Sequence, residues 1–169
     1  MDEVIADAVA ENLKRYNLEF GERLSVADME GKAIWEAIEP SRHEAIERFL
    51  MSEDFFAVLD VMPDSQRVIR ALQSEYEVFI ATAAMEVPTS FTAKFEWLER
   101  HFSFIPPANI VFCGDKSILL ADYLIDDNPG QLRRFRGQGV LFHAHHNVRC
   151  EEFPRVRSWI EVGKMFLRG

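Results

Sequence analysis

Tyr123-Leu124-Ile125-Asp126-Asp127-Asn128-Pro129 holds a strand, a polar turn and a helix start in one short segment. Tyr123 to Ile125 is an apolar run bounded by polar residues, the mark of a buried strand. Asn128 has the form of an N-cap. Pro129 stands at the first helical position, where a missing N–H costs nothing. The helix so opened carries Leu132 and Phe135. The same alternation recurs on either side. Upstream, Glu77 to Ala81 and Ile110 to Phe112 read as strands. Ser90 to Phe102 lies between them, with Phe91, Phe95, Leu98 and Phe102 at helical spacing. Downstream, Gly139 to Phe142 reads as a fourth strand. Trp159, Ile160, Val162, Met165 and Phe166 form a closing helix. Short apolar strands alternating with helices predict an α/β fold, a Rossmann-like parallel sheet with helices on both faces.

The first half reads differently. Val4 to Tyr16 predicts a helix. The capping box Ser41-x-x-Glu44 predicts a second, ahead of Ile46, Phe49 and Leu50, and Pro63 to Glu75 predicts a third. No strand is expected before Glu77. Residues 14–60 therefore read as a small helical cap, inserted into a core built from residues 1–13 and 61–169. No repeat, low-complexity tract or linker divides the chain further.

Composition bounds the function. The 169 residues are 48% hydrophobic and 28% charged, which suits one folded domain. Nineteen basic and 28 acidic residues give a net charge of −9. That argues against polymeric nucleic acid or an anionic membrane as partner, while leaving room for a small anion gathered by a few cations and a metal. No apolar run reaches the roughly 18 residues of a membrane helix, and the acidic start is unlike a signal peptide. Two cysteines, Cys113 and Cys150, without a CxxC, fit a reducing, cytoplasmic setting.

In parallel sheets, ligands bind at the carboxyl ends of strands. Those ends offer Thr82-Ala83-Ala84, Cys113-Gly114-Asp115-Lys116 and Asp126-Asp127-Asn128, and Asp2 adds a further carboxylate. Carboxylates suit Mg2+, and a lysine with a hydroxyl suits phosphate. The set reads as metal-assisted phosphoryl transfer. Each residue also has an ordinary reading: Asp126-Asp127 as a solvated turn, Lys116 as a surface lysine, Lys94 covering a helix face, Thr82 ending a strand, Phe55 and Phe56 as core. The run His143-Ala144-His145-His146 has no neighbouring carboxylate or cysteine at a spacing that completes a zinc set.

Asp2 near the start, Thr82 after an apolar strand, Lys116, and Asp126-Asp127 resemble the four motifs of the haloacid-dehalogenase-like phosphatases. The finer stretches FFAVLDVMPDS, FIATAAMEVP, KFEWLERHF, GDKSILLADYLIDDNP and FHAHHN are similar to the 5′(3′)-deoxyribonucleotidases, cytosolic type C, and their bacterial relatives. The resemblance runs over nearly the whole chain. It implies hydrolysis of a (deoxy)ribonucleoside monophosphate with Mg2+, through an aspartyl-phosphate. It further implies that Asp2 is the proton carrier and touches the metal, and that Thr82 and Ala83 hold the transferring phosphoryl group. Lys116 would neutralise growing charge and Lys94 would be a second phosphate contact. Asp126 and Asp127 would serve the metal, and Phe55 and Phe56 would line the cap against the sugar or base.

The resemblance departs at one point. The nucleophilic aspartate would stand one residue before Met1, and the first core strand would lie upstream of it. Two expectations compete: a missed upstream segment, or a member that binds phosphate or nucleotide without catalysis. A central strand buries about four Val/Ile side chains at ~1.5–3 kcal/mol each, a sum that rivals a domain's net stability. That favours the missed segment.

Overall fold

Residues 1–7 are shaped by one carbonyl. Met1 O accepts the N–H groups of Val4, Ile5 and Ala6 at 3.2, 2.9 and 3.3 Å, folding the start into a tight turn. Strand β1 (Ala6–Asp7) follows, then helix α1 (Ala8–Phe20). This is a computed structural model describing residues 1–167; positions 168 and 169 of the expected core span lie outside the described residues. The helix expected over Val4 to Tyr16 thus begins later and ends later. The reason is local. Asp7 caps the start by accepting Ala10 N at 2.9 Å, and Gly21, at φ 64°, closes the other end in the left-handed region. The expected cap boundary at residue 14 falls inside α1, which runs through it unbroken.

Residues 21–59 hold only helical segments and turns: a 3-10 turn at Val26–Met29, α2 (Ile34–Ala37), a 3-10 turn at Pro40–Arg42, and α3 (His43–Met51). The capping box expected at Ser41 does not form. The Pro40–Arg42 turn leads straight into α3, and Arg42 makes no side-chain cap bond there. Strand β2 (Asp60–Val61) then pairs antiparallel with β1, Ala6 opposite Val61. These two strands correct the expectation of none before Glu77. At two residues each they are too short to show a period.

Helix α4 (Ser65–Leu72) leads to β3 (Ile80–Thr82), three residues past the expected start. Residues 77–79 are held otherwise, for Asn109 Nδ2 donates to Val78 O at 2.9 Å. Helix α5 (Ser90–His101) and β4 (Ile110–Phe112) complete a parallel pair, Ile80 opposite Ile110 and Thr82 opposite Phe112. Strand β5 (Tyr123–Asp126), helix α6 (Pro129–Arg134), β6 (Gln138–Phe142), β7 (Arg155–Val156) and α7 (Trp159–Phe166) follow, and β5, β6 and β7 form a second parallel ladder. Asn128 caps α6 as its sequence predicts, accepting Gly130 N at 2.8 Å. The short β7 was not anticipated. Gly137 permits the β5–β6 approach: a Cβ there would stand 2.5 Å from Ala121 O.

The class is α/β, with parallel strands and helices in alternation. The expected single sheet is instead divided, since among the described strands β3 pairs only with β4 and β5 only with β6. The core joins both ladders. Ile80, Val140, Phe142, Val156, Trp159 and Val162 are buried with Ile5, Phe55 and Trp97. No helix is long and apolar enough to cross a membrane among the described residues.

Candidate active site

The end of β3 delivers Thr82, which is 1% exposed. Lys94, in α5, reaches it from below the surface: Nζ donates to Thr82 Oγ1 at 3.3 Å and to Asp2 Oδ2 at 2.6 Å. One buried ammonium thus links a strand-end hydroxyl to the N-terminal carboxylate. The same Nζ lies 4.3 Å from the centre of the Phe56 ring, whose face favours a cation. Ala83 begins the 3-10 turn Ala84–Glu86 directly after β3.

The end of β5 delivers a second pair. Asp126 is 2% exposed, and Lys116 Nζ donates to its Oδ2. Asp126 Oδ1 accepts Asn128 N at 2.9 Å, so both carboxylate oxygens are engaged. Lys116 sits in a 3-10 turn held by two neighbours: Asp115 accepts Ser117 N at 3.0 Å, and Gln131 Oε1 accepts Lys116 N at 3.1 Å while its amide donates to Gly114 O at 2.8 Å. Gln131 escaped the sequence reading. Its spacing, three residues past the Asn128 cap, is that of a capping-box partner. Its side chain braces the lysine turn instead.

Asp127 stands beside this pair. Burial, reinforced by the Asp126 charge, pushes its carboxyl up to about 6. His146 Nε2 lies 3.3 Å from Asp127 Oδ2, and Asn147 Nδ2 donates to Asp127 O at 2.7 Å. The histidine run therefore serves as a brace for the acidic turn. Burial also lowers the Met1 amino group, as does Lys116; Asp2, Asp126 and Asp127 act on it in the opposite sense.

Glu3 is another residue that the sequence did not single out. It holds φ 58°, costly for a residue with a Cβ, and its Oε1 accepts Val9 N at 2.9 Å. Burial pushes its carboxyl up to about 8. The side chain ties the start of α1 to the turn carrying Asp2. Phe55 and Phe56 are both buried, edge to face with centres 5.0 Å apart. Phe55 lies under the Arg15 guanidinium, and Phe56 meets the site through Lys94.

The residues present fit a divalent cation. Asp2 Oδ1 is buried without a hydrogen-bond partner among the described residues, and Asp127 shares its surroundings with an anionic neighbour. No three His, Cys, Asp or Glu side chains among the described residues stand close enough to enclose a metal by themselves. Mg2+ does not need three, because it commonly keeps waters and takes one or two carboxylates with phosphate oxygens.

A family model for 5' nucleotidase, deoxy (pyrimidine), cytosolic type C protein matches residues 1–169. The chain belongs to that family. Among its relatives, a protein of Staphylococcus epidermidis, provisionally named 5'(3')-deoxyribonucleotidase, is 44% identical over 166 residues, covering 98% of this chain and 92% of the relative. Proteins named 5'(3')-deoxyribonucleotidase from Bacillus subtilis and Bacillus phage SPbeta are each 44% identical over 114 residues, 68% of this chain and 66% of theirs. The type C nucleotidase match spans both site-bearing strand ends and the helical region between residues 21 and 59.

Proposed function

We propose that this family member, with the haloacid-dehalogenase-like fold, is a Mg2+-dependent phosphatase of (deoxy)ribonucleoside monophosphates working through an aspartyl-phosphate. The observation that carries the reading is the bridging of Thr82 to Asp2 by buried Lys94, beside the closed Lys116–Asp126 pair. The names of the relatives supply the substrate class.

The Asp126 and Asp127 carboxylates, with the backbone carbonyl of Asp2, would hold Mg2+, which when bound offsets the charge of the phosphate dianion. The remaining work falls to the chain. The Thr82 hydroxyl and the Ala83 N–H donate to the transferring phosphoryl oxygens. Lys94 and Lys116 stabilise charge spreading on those oxygens, fixed in place before the reaction by Phe56 and Gln131. A carboxylate oxygen, from an aspartate one residue before Met1, forms a bond to phosphorus as the ester P–O bond breaks. Asp2 gives its proton to the departing alkoxide oxygen. In the second half, Asp2 takes a proton from water, whose oxygen bonds to phosphorus as the aspartyl P–O bond breaks. Inorganic phosphate leaves.

Phosphate release from deoxyribonucleoside monophosphates tests this. Residues 1–169 alone should turn over slowly, by on the order of 10⁶, the cost of removing a nucleophile in other hydrolases. The chain preceded by a β-branched strand ending in aspartate should release phosphate with Mg2+. Release by residues 1–169 alone would refute the nucleophile assignment; none from the extended chain would refute the phosphatase. A binding-only member is the second reading. Nucleotide binding in both chains, with turnover in neither, identifies that reading.

A further inference from the structure

Asn147 is 3% exposed, yet every hydrogen-bonding position of its side-chain amide is taken. Nδ2 donates to Phe142 O at 2.8 Å and to Asp127 O at 2.7 Å. Oδ1 accepts Ala144 N at 3.2 Å and Arg155 Nη1 at 2.7 Å. A flip of the amide would set its oxygen against two carbonyls and its nitrogen against two donors, so the partners fix its orientation. The frame is fixed in turn. Arg155, in β7, also donates to His143 Nδ1 at 3.1 Å, to Asn147 O at 3.0 Å and to Cys150 O. From the helical region, Gly31 N donates to His145 O at 2.7 Å. The 3-10 turn His145–Asn147 is therefore held from β6, from β7 and from the cap side at once.

The bonds to Phe142, Ala144 and Arg155 close the loop after β6 on itself and on β7. The remaining one leaves the loop for Asp127, 20 positions earlier in the chain. Loop closure does not account for it. His146 joins it there, with Nε2 3.2 Å from Asp127 O and 3.3 Å from Asp127 Oδ2. The carbonyl so met belongs to the peptide between Asp127 and Asn128. The N–H of that same peptide donates to Asp126 Oδ1 at 2.9 Å. A peptide unit is planar, so a donor that fixes its C=O also fixes the direction in which its N–H meets the Asp126 carboxylate.

We infer that Asn147 is a positioning residue for the metal. Through the Asp127–Asn128 peptide it sets the direction of the Asp126 and Asp127 carboxylates, and Arg155 holds it in register. Mg2+ demands near-ideal octahedral geometry, and groups that orient its ligands are worth about tenfold or more in affinity. The metal half of this inference rests on the Mg2+ reading above; the ordering of the acidic turn does not.

Two readouts on the full chain test it. Asn147→Asp keeps the shape and the acceptor facing Arg155, and removes both donors. Amide exchange of Asn128 and Gly130 should quicken about tenfold, while Phe102 and Cys113, bonded to Leu98 O and Thr82 O, keep their rates. Mg2+ affinity, titrated with the metal alone, should weaken about tenfold. An added carboxylate by itself draws a cation more tightly, so the sign of the change separates positioning from charge. Arg155→Lys keeps the charge and loses the fork. It should move both readouts the same way by less, and it decides the matter where the Asp variant does not fold. Unchanged exchange at Asn128, or equal quickening at Phe102 and Cys113, overturns the proposal. So does Mg2+ binding of equal or greater strength in a variant whose turn has loosened. Quickened exchange, with no Mg2+ bound even by the parent chain, keeps the hold of Asn147 on the acidic turn and counts against the Mg2+ reading instead.

Discussion

The β3 side and the β5 side of the divided sheet carry the same equipment in unlike surroundings. Each offers a strand-end oxygen and a lysine. On the β5 side the pair is closed: Lys116 and Asp126 are 9% and 3% exposed at their side chains, and Asn128 takes the remaining carboxylate oxygen. On the β3 side, Lys94 is 3% exposed but its partner Asp2 is 37% exposed and keeps one oxygen without a partner. One half therefore has its charges matched within the chain before a ligand arrives. The other is open to a ligand and depends on how residues 1–7 are held. The difference teaches that ion pairs of similar chemistry can be enclosed to different degrees within one site, one saturated by the chain and one with an oxygen left over.

That contrast can be broken. Lys116→Met should cost about 3–5 kcal/mol in urea denaturation, because it leaves the Asp126 charge buried and unpaired. A cost no greater than that of Lys94→Met would erase the distinction. Trp159→Phe comes next. Trp159 Nε1 donates to Val4 O at 2.6 Å, anchoring the N-terminal turn to α7. Its loss leaves a buried carbonyl unsatisfied and should cost about 1–3 kcal/mol. Faster exchange of the Val4, Ile5 and Ala6 amides should accompany it; unchanged exchange there would show that α7 does not hold that turn. The smallest effect belongs to Lys94→Met, at about 1 kcal/mol or less by denaturation, since water reaches Asp2 and the pair is only half enclosed. Its cost should appear instead in nucleotide affinity.

What the sequence made legible was local. Asn128-Pro129 predicted its helix start because a cap and a proline act within one turn. Ile110–Phe112 and Trp159–Phe166 matched because an apolar run and a helical stripe each carry their own period. What stayed hidden depends on partners distant in the chain. β1 and β2 are set by each other across more than fifty residues of intervening chain. β3 starts at Ile80 because its partner starts at Ile110, and Asn109 takes up the preceding carbonyl. Ser41 loses its cap to the turn that Pro40 begins. In the candidate site, the strand-end residues stood out by position after apolar runs. Glu3 did not, since a left-handed φ at a glutamate has no sequence mark. Gln131 did not either, because bracing a neighbour's backbone leaves no motif, and the histidine run drew notice without any sign that His146 would stand against Asp127.

Calorimetric titration of a deoxyribonucleoside monophosphate tests the central claim most directly. The account predicts heat of binding that requires Mg2+, is abolished by a chelator, and corresponds to an affinity about tenfold weaker or worse in Thr82→Val, which removes the hydroxyl while keeping the shape. Binding of equal strength with chelator present and in Thr82→Val would contradict it.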